Sequence, residues 1–185
     1  MEMTGLDVSE NRIIEVAIIV TDLKLNELER YQAVIKQPRE FIDAMDDWNV
    51  STHTASGLIN EVPRGRLQIE VEMDLIALVK RHFPNQRVML SGNSISQDKL
   101  FIETYMKKFA ALLHYRIIDI SSMKAVYQSL YKVRYHKGES HRAMDDVEHS
   151  ISELKLYLSF LDHNKVNAFV NSKPNTDLGA DEPFF

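Results

Sequence analysis

Two Ile- and Val-rich stretches lying close together, followed by alternating helical and strand-like patterning, set the fold class of this chain. Residues 12–21 (RIIEVAIIVT) and 31–36 (YQAVIK) have the β-branched content of strands, and the link between them carries Asp22 and Asn26. That combination predicts a β-hairpin or meander with a longish turn. Residues 38–66 hold Pro38, Gly57, Pro63 and Gly65 and read as irregular, with short helical patches such as 39–47. From 67 to 83, Ile69, Met73, Ile76, Val79 and Phe83 recur at helical spacing, and Pro84 stops the run. Residues 87–91 (RVMLS) read as a short buried strand ended by Gly92-Asn93-Ser94. A helix follows over 97–112 with Phe101, Tyr105, Phe109 and Leu112 on one side, then a strand at 115–120 and a helix at 121–132. After a polar loop at 133–141, residues 142–161 carry an apolar stripe of Met144, Val147, Ile151, Leu154, Leu158 and Leu161.

Two adjacent strands followed by βα units predict an α/β domain built on a mixed sheet. Such a sheet normally starts with a central strand, and no strand-like stretch stands before Glu2. The domain is expected to occupy 1–164. Residues 165–185 turn polar, with Pro174, Gly179 and Pro183, and are expected to form a mobile tail.

Composition matters mainly through charge. The net charge is −5, and no basic run is present. Proteins that track long nucleic acid neutralise many phosphates with Lys and Arg. Any nucleic-acid substrate here should therefore be short or gripped at one end. The acidic excess also suits carboxylates gathered around cations, although ordinary solubility accounts for it equally well. The chain has no cysteine, which excludes disulfides, thiolate metal sites and a cysteine nucleophile. No apolar stretch approaches about 20 residues, so no membrane span is expected. The start lacks the basic and apolar regions of a signal peptide.

Phosphodiester hydrolysis needs an activated water and a stabilised leaving oxygen, which two divalent cations about 4 Å apart supply. Mg²⁺ and Mn²⁺ want oxygen ligands, so carboxylates must converge from separate segments, with a histidine near neutral pKa as base. Three segments offer such groups. Glu2 lies in Glu2-Met3-Thr4-Gly5-Leu6-Asp7, where alone it reads as a solvated terminal residue. Asp98 follows a buried strand at the start of a helix, where an N-cap role explains it equally well. His141 and Asp146, in His141-Arg142-Ala143-Met144-Asp145-Asp146, place an imidazole and a carboxylate near one helix end. Spacing alone leaves His141 as easily a solvated loop residue. Asp145 suits the first turn of a helix.

Taken in order, these segments and Asp46-Asp47-Trp48, His53-Thr54-Ala55-Ser56-Gly57-Leu58, Gly92-Asn93-Ser94 and His114-Tyr115-Arg116 resemble the oligoribonuclease branch of the DEDDh exonucleases. The resemblance spans about residues 2–161. It implies a ribonuclease H-like fold, a homodimer, and metal-dependent 3′→5′ removal of nucleotides from very short oligoribonucleotides, dinucleotides above all. Glu2, Asp98 and Asp146 match three of four catalytic carboxylates that hold two Mg²⁺ or Mn²⁺ ions, and His141 matches the general base. Asp119 resembles a carboxylate of more structural role. Leu6 and Trp48 match the residues holding the two bases; a buried core position is the competing reading for Trp48. His53, Ser94 and Ser121 resemble groups near the 5′ phosphate. Tyr115 and Arg116 resemble residues delivered from a second subunit, which from periodicity alone read as an ordinary strand edge.

The family opens with an apolar strand ending in Asp-x-Glu. Here Glu2 is that glutamate and Met1 stands at x. Met1 is therefore expected to be an internal methionine, with a segment ending in aspartate upstream. Alternatively the chain is a shortened paralogue that binds dinucleotides or dimerises with little turnover. Neither Asp7 nor Glu10 lies where it would replace the aspartate. A DNA-directed relative is a third reading, disfavoured by Asp46-Asp47-Trp48 and His114-Tyr115-Arg116. The expected location is the cytoplasm, with an organelle kept open because a targeting segment would lie upstream.

Overall fold

A computed structural model describes residues 1–136 and 142–172. Strands β1 (Glu2–Met3), β2 (Ile13–Thr21) and β3 (Glu27–Val34) form one antiparallel sheet in that order. Strands β4 (Val88–Gly92) and β5 (Leu113–Asp119) form a second, parallel pair. The strands expected from the sequence are present, but among the described residues they make two small sheets rather than one mixed sheet. The two residues of β1 pair with β2, and no ladder joins β1 to β4 among the described residues.

The β2–β3 link is the expected turn, with Asp22 accepting hydrogen bonds from the amides of Lys24 and Asn26. The first five residues of β2, Ile13–Ala17, are all buried. A strand read this way is covered on both faces. Ile13 and Val16 join the main core with Val71, Leu75, Phe101, Phe109 and Leu113. Ile14 joins a second cluster with Met45, Leu58 and Val62. That second cluster explains the segment expected to be irregular. It folds into short helices α1 (Arg39–Asp43), α2 (Asp47–Ala55) and α3 (Leu58–Glu61), then a 3-10 turn at Val62–Arg64.

Helix α4 (Gln68–His82) forms as expected; of the expected stripe Val79 is buried and Ile76 packs against the core, but the buried face is shifted from the rest. Val71, Leu75, Leu78 and Val79 face inward, whereas Ile69 and Met73 are exposed. The helix has apolar residues on two neighbouring faces, and periodicity does not choose between them. The chosen face also buries Glu72, whose carboxylate accepts the amides of Lys108 and Phe109. Those bonds start a new helix, α6 (Lys107–Ala110), after α5 (Ile95–Tyr105) ends, so the single helix expected over 97–112 is two.

Helices α7 (Ile120–Tyr131) and α8 (Ala143–Ser159) pack together through Ile120, Leu154 and Tyr157. The inward face of α8 includes Ala143, Ser150, Glu153 and Tyr157 beside Leu154, while Leu161 is exposed. Residues His163–Ser172 form helix α9, inside the stretch expected to be tail. The rest of that tail, 173–185, lies outside the described residues, as does His141. Among the described residues, no helix is long and apolar enough to cross a membrane.

Candidate functional site

The site begins at β1. Its short ladder is extended by Thr4, whose amide donates to the Arg12 carbonyl (2.9 Å) while its hydroxyl accepts the Arg12 amide (3.0 Å). Between these residues the chain loops out through Gly5 to Asn11. A Cβ on Gly5 would meet Asn11 side-chain atoms at 2.5–2.9 Å, and Asn11 is itself held by the Asp7 amide. Glycine is therefore what lets the loop close. Glu2 sits in β1 with Glu15 of β2 as its cross-strand partner.

Asp98 lies in the first turn of α5, and the Met1 ammonium donates to its Oδ1 at 2.7 Å. The N-cap reading for Asp98 does not hold, because Ser94 occupies that position. Asp146 lies in the first turn of α8, its amide donating to the Arg142 carbonyl at 3.1 Å.

Electrostatics shows that these carboxylates are neighbours. The Glu2 carboxyl is pushed from 4.5 up to about 7, first by burial; the Met1 ammonium works against this, and Asp146, Glu15 and Asp98 add to it. Like charges crowding a carboxyl favour its neutral form. Burial works against the Met1 ammonium, but Asp98, with Glu2 and Asp146, more than offsets it and holds the group above its ordinary value of 8.0. As the side chains stand, no three His, Asp or Glu groups among the described residues close on one metal-sized point.

Beside the carboxylates lies a polar network. Ser94 adopts a left-handed backbone, with φ of 53°, a conformation uncommon for serine. Its amide donates to Asp119 Oδ1 (3.1 Å) and Ser121 Oγ (2.9 Å), and its hydroxyl lies 3.4 Å from Ser121 Oγ. Asp119 also caps α7 through the Ser121 amide (2.9 Å), which gives it a structural task. Behind them Ser121 Oγ donates to Asn93 Oδ1, and Asn93 Nδ2 donates to Ser150 Oγ and Glu153 Oε2. The structure thus brings Ser94 and Ser121 together. His53 it places differently: on α2, 1% exposed, with Nε2 3.0 Å from the Met3 carbonyl. It backs β1.

The two residues matched to base binding are exposed. Leu6 is 72% exposed in the loop after β1, and Trp48 is 65% exposed in the first turn of α2. The core reading of Trp48 is thereby overturned. Gln97, next to Asp98, donates to the Leu6 carbonyl at 2.6 Å and ties the loop to α5. Tyr115 is exposed on β5, with the His114 ring stacked at 4.5 Å and the Arg116 guanidinium 5.2 Å from its ring.

With this geometry in view, the comparisons with known proteins are informative. The RNase T family of exonucleases matches residues 1–154. This chain belongs to that family, in its oligoribonuclease branch. It is 39% identical to human mitochondrial oligoribonuclease over 173 residues, 90% of this chain and 73% of that protein. It is 42% identical to an oligoribonuclease of Ralstonia nicotianae over 162 residues, covering 85% of this chain and 74% of the relative. The oligoribonuclease of Bordetella pertussis is 41% identical over 167 residues, with 87% and 92% covered.

Membership of the family directs attention to residues the sequence reading passed over. Glu15, Arg142, Gln97 and Asn93 organise the ground beneath the candidate site. Glu15 left a signal: a lone charge inside an Ile- and Val-rich strand, which must find partners if buried. Asn93 and Arg142 stand inside segments that carry the family resemblance, but their partners lie far away in sequence, as does that of Gln97. The donor set fits the metals that such an exonuclease uses. Glu2, Asp98 and Asp146 offer only carboxylate oxygen, the preference of Mg²⁺ and Mn²⁺; the Glu2 carboxyl is raised first by burial, with the charges of Asp146, Glu15 and Asp98 adding to it.

Proposed function

We propose that this chain is a 3′→5′ exoribonuclease that degrades very short oligoribonucleotides, dinucleotides above all, to mononucleotides. What supports the reading most is membership of the oligoribonuclease branch; the charges of Asp98 and Asp146, from separate elements, also bear on the Glu2 carboxyl. Two Mg²⁺ or Mn²⁺ ions, when bound, would activate the water and stabilise the leaving oxygen. Glu2, Asp98 and Asp146 are the residues to hold them, and His141 is the residue to take the proton from water.

The remaining residues bind and orient. Leu6 and Trp48 hold the two bases, Leu6 by apolar contact and Trp48 by aromatic stacking, which contributes about 1–3 kcal/mol for its base and tolerates any sequence. Ser94 and Ser121 face the 5′ phosphate. His53 acts from behind, by fixing the backbone of β1 between Glu2 and Thr4. Tyr115 and Arg116 act in a homodimer, where they cap the phosphate in the neighbouring subunit's site. Arginine suits that task because its fork donates two parallel hydrogen bonds. A ribonuclease H-like sheet, in which an apolar strand carrying an aspartate pairs with β1's neighbours, is the architecture this reading entails. The cytoplasm is the compartment proposed, with an organelle as the other possibility given a mitochondrial relative.

The test is hydrolysis of a 5′-labelled diribonucleotide with Mn²⁺. This chain is assayed beside a form carrying an apolar strand and Asp-x before Glu2, and beside Asp146→Asn. The expected result is release of labelled mononucleotide, fastest in the extended form and reduced at least 100-fold by Asp146→Asn. No cleavage by either unsubstituted form, both folded and dimeric, overturns the enzyme reading in favour of a dinucleotide-binding module.

A further inference from the structure

We infer that Glu15 and Arg142 are positioning residues: they lock the first turn of α8 onto β2 and so fix where Asp146 stands relative to Glu2. This rests on the functional reading above. The observation behind it is the complete satisfaction of a charge in an expensive place. Glu15 is fully buried in the middle of β2. Its Oε1 accepts from Arg142 Nε (3.0 Å), Arg142 Nη2 (2.7 Å) and Gln32 Nε2 (2.9 Å), and its Oε2 accepts the Ala143 amide (2.8 Å).

A buried ion pair is a poor way to gain stability, because desolvation offsets most of the attraction; its attested use is to specify one arrangement. The arrangement specified here is between two elements that carry candidate ligands. Glu15 faces Glu2 directly across the β1–β2 ladder. Arg142 is the N-cap of α8, and its carbonyl receives the Asp146 amide. The Ala143 amide, one of the donors a helix start leaves over, ends on the same buried carboxylate. Arg142 is gripped from the other side as well: Nη1 and Nη2 reach Glu61 of α3 at 2.8 and 3.1 Å. One guanidinium thus ties α8 to β2 and α3, two nitrogens of Arg142's fork serving each carboxylate. Lysine would keep the charge and lose this geometry.

The experiment uses the full chain with Arg142→Lys and Glu15→Gln, and Leu75→Ala as a core variant that destabilises without touching the site. Mn²⁺ binding is followed by titration, and turnover of a labelled diribonucleotide gives kcat and KM. Removing a group that orients ligands from behind commonly costs 10–100-fold in metal affinity or activity. Arg142→Lys and Glu15→Gln are therefore expected to weaken Mn²⁺ binding and lower kcat by about 10–100-fold, with KM within about threefold, since Leu6 and Trp48 are untouched. Leu75→Ala should leave Mn²⁺ affinity unchanged. Folded Arg142→Lys with Mn²⁺ affinity and kcat both within about threefold of the parent overturns the inference, as does loss of Mn²⁺ affinity in Leu75→Ala to the same degree. Should Glu15→Gln fail to fold, Arg142→Lys decides. If the parent binds Mn²⁺ but turns over no dinucleotide, the functional reading fails, and the Mn²⁺ titration of Arg142→Lys still tests the positioning.

Discussion

Glu2→Gln should make the metal-free protein more stable at neutral and alkaline pH, although it removes a candidate catalytic group. Burial and the nearby Asp146, Glu15 and Asp98 raise the Glu2 carboxyl from 4.5 in the unfolded chain to about 7 in the fold, with the Met1 ammonium opposing. Below 4.5 both states hold the proton, and the shift costs nothing. Between 4.5 and about 7 the unfolded state releases the proton first, so folding loses ground as pH rises. Above the folded value the full cost applies, about 3 kcal/mol for a shift of this size. A glutamine does not titrate and escapes that cost. Urea denaturation of both proteins at several pH values measures it. The two should be similar near pH 4 and diverge in favour of Gln by about 3 kcal/mol at pH 8. Mn²⁺ should reverse the order, because a ligand that binds only the native state stabilises it and the carboxylate is what binds. A Gln variant no more stable than the parent at pH 8 without metal refutes the raised Glu2 carboxyl, and with it the cost of holding that charge in a buried place.

The same shift implies that Mn²⁺ binding near neutral pH displaces a proton from Glu2, so affinity should rise with pH up to about 7 and level off above it; calorimetry in buffers of different ionisation enthalpy reads the proton directly. Trp48→Ala should weaken dinucleotide binding by about 1–3 kcal/mol and change stability by less than about 0.5 kcal/mol, since the ring is largely exposed. Trp48 is the single tryptophan, so dinucleotide should also quench the emission of the parent; unchanged emission at saturation would remove Trp48 from the site. Tyr157→Phe takes a 2.7 Å hydrogen bond from the buried Glu153 carboxylate and should cost about 1–3 kcal/mol in a denaturant titration. No loss would mean that Asn93 and Lys124 satisfy Glu153 without the tyrosine hydroxyl.

Patterns that depend on near neighbours were legible in the sequence. The Ile-Val content of β2, the turn at Asp22 and Asn26, Pro84 after α4 and the strands β4 and β5 all express local preferences, and all are present. What depends on distant partners was not. The break at Met106 arises from Glu72, which captures the Lys108 and Phe109 amides from another helix. The buried stripe of α4 was misread in part for the same reason, since which face lies inward is decided by the sheet it meets. At the site, the exposure of Trp48 could be argued from its acidic neighbours. The burial of His53 could not, because its partner is a carbonyl 50 residues away. Helix α9 carries Val166, Phe169 and Val170 at helical spacing, a short signal set among polar residues, and all its residues are exposed.

The charge pattern explains how an acidic chain can handle RNA at all. Arg30, Arg39, Arg66, Arg81 and Arg142 are each paired with a carboxylate of the chain itself, which partly offsets their charge. A long phosphate backbone would therefore meet a surface of net charge −5 with little to grip, whereas protein–nucleic acid affinity is built mainly on phosphate neutralisation. A dinucleotide avoids that requirement. Its one internal phosphate can be met by cations held at Glu2, Asp98 and Asp146, and its bases by Leu6 and Trp48. Stacking at about 1–3 kcal/mol per base then supplies a large share of the binding, and that share does not grow with chain length. On this reading the preference for the shortest substrates follows from where the positive charge is missing as much as from any wall that closes the pocket. It should therefore persist at high salt, which screens phosphate contacts and leaves stacking in place.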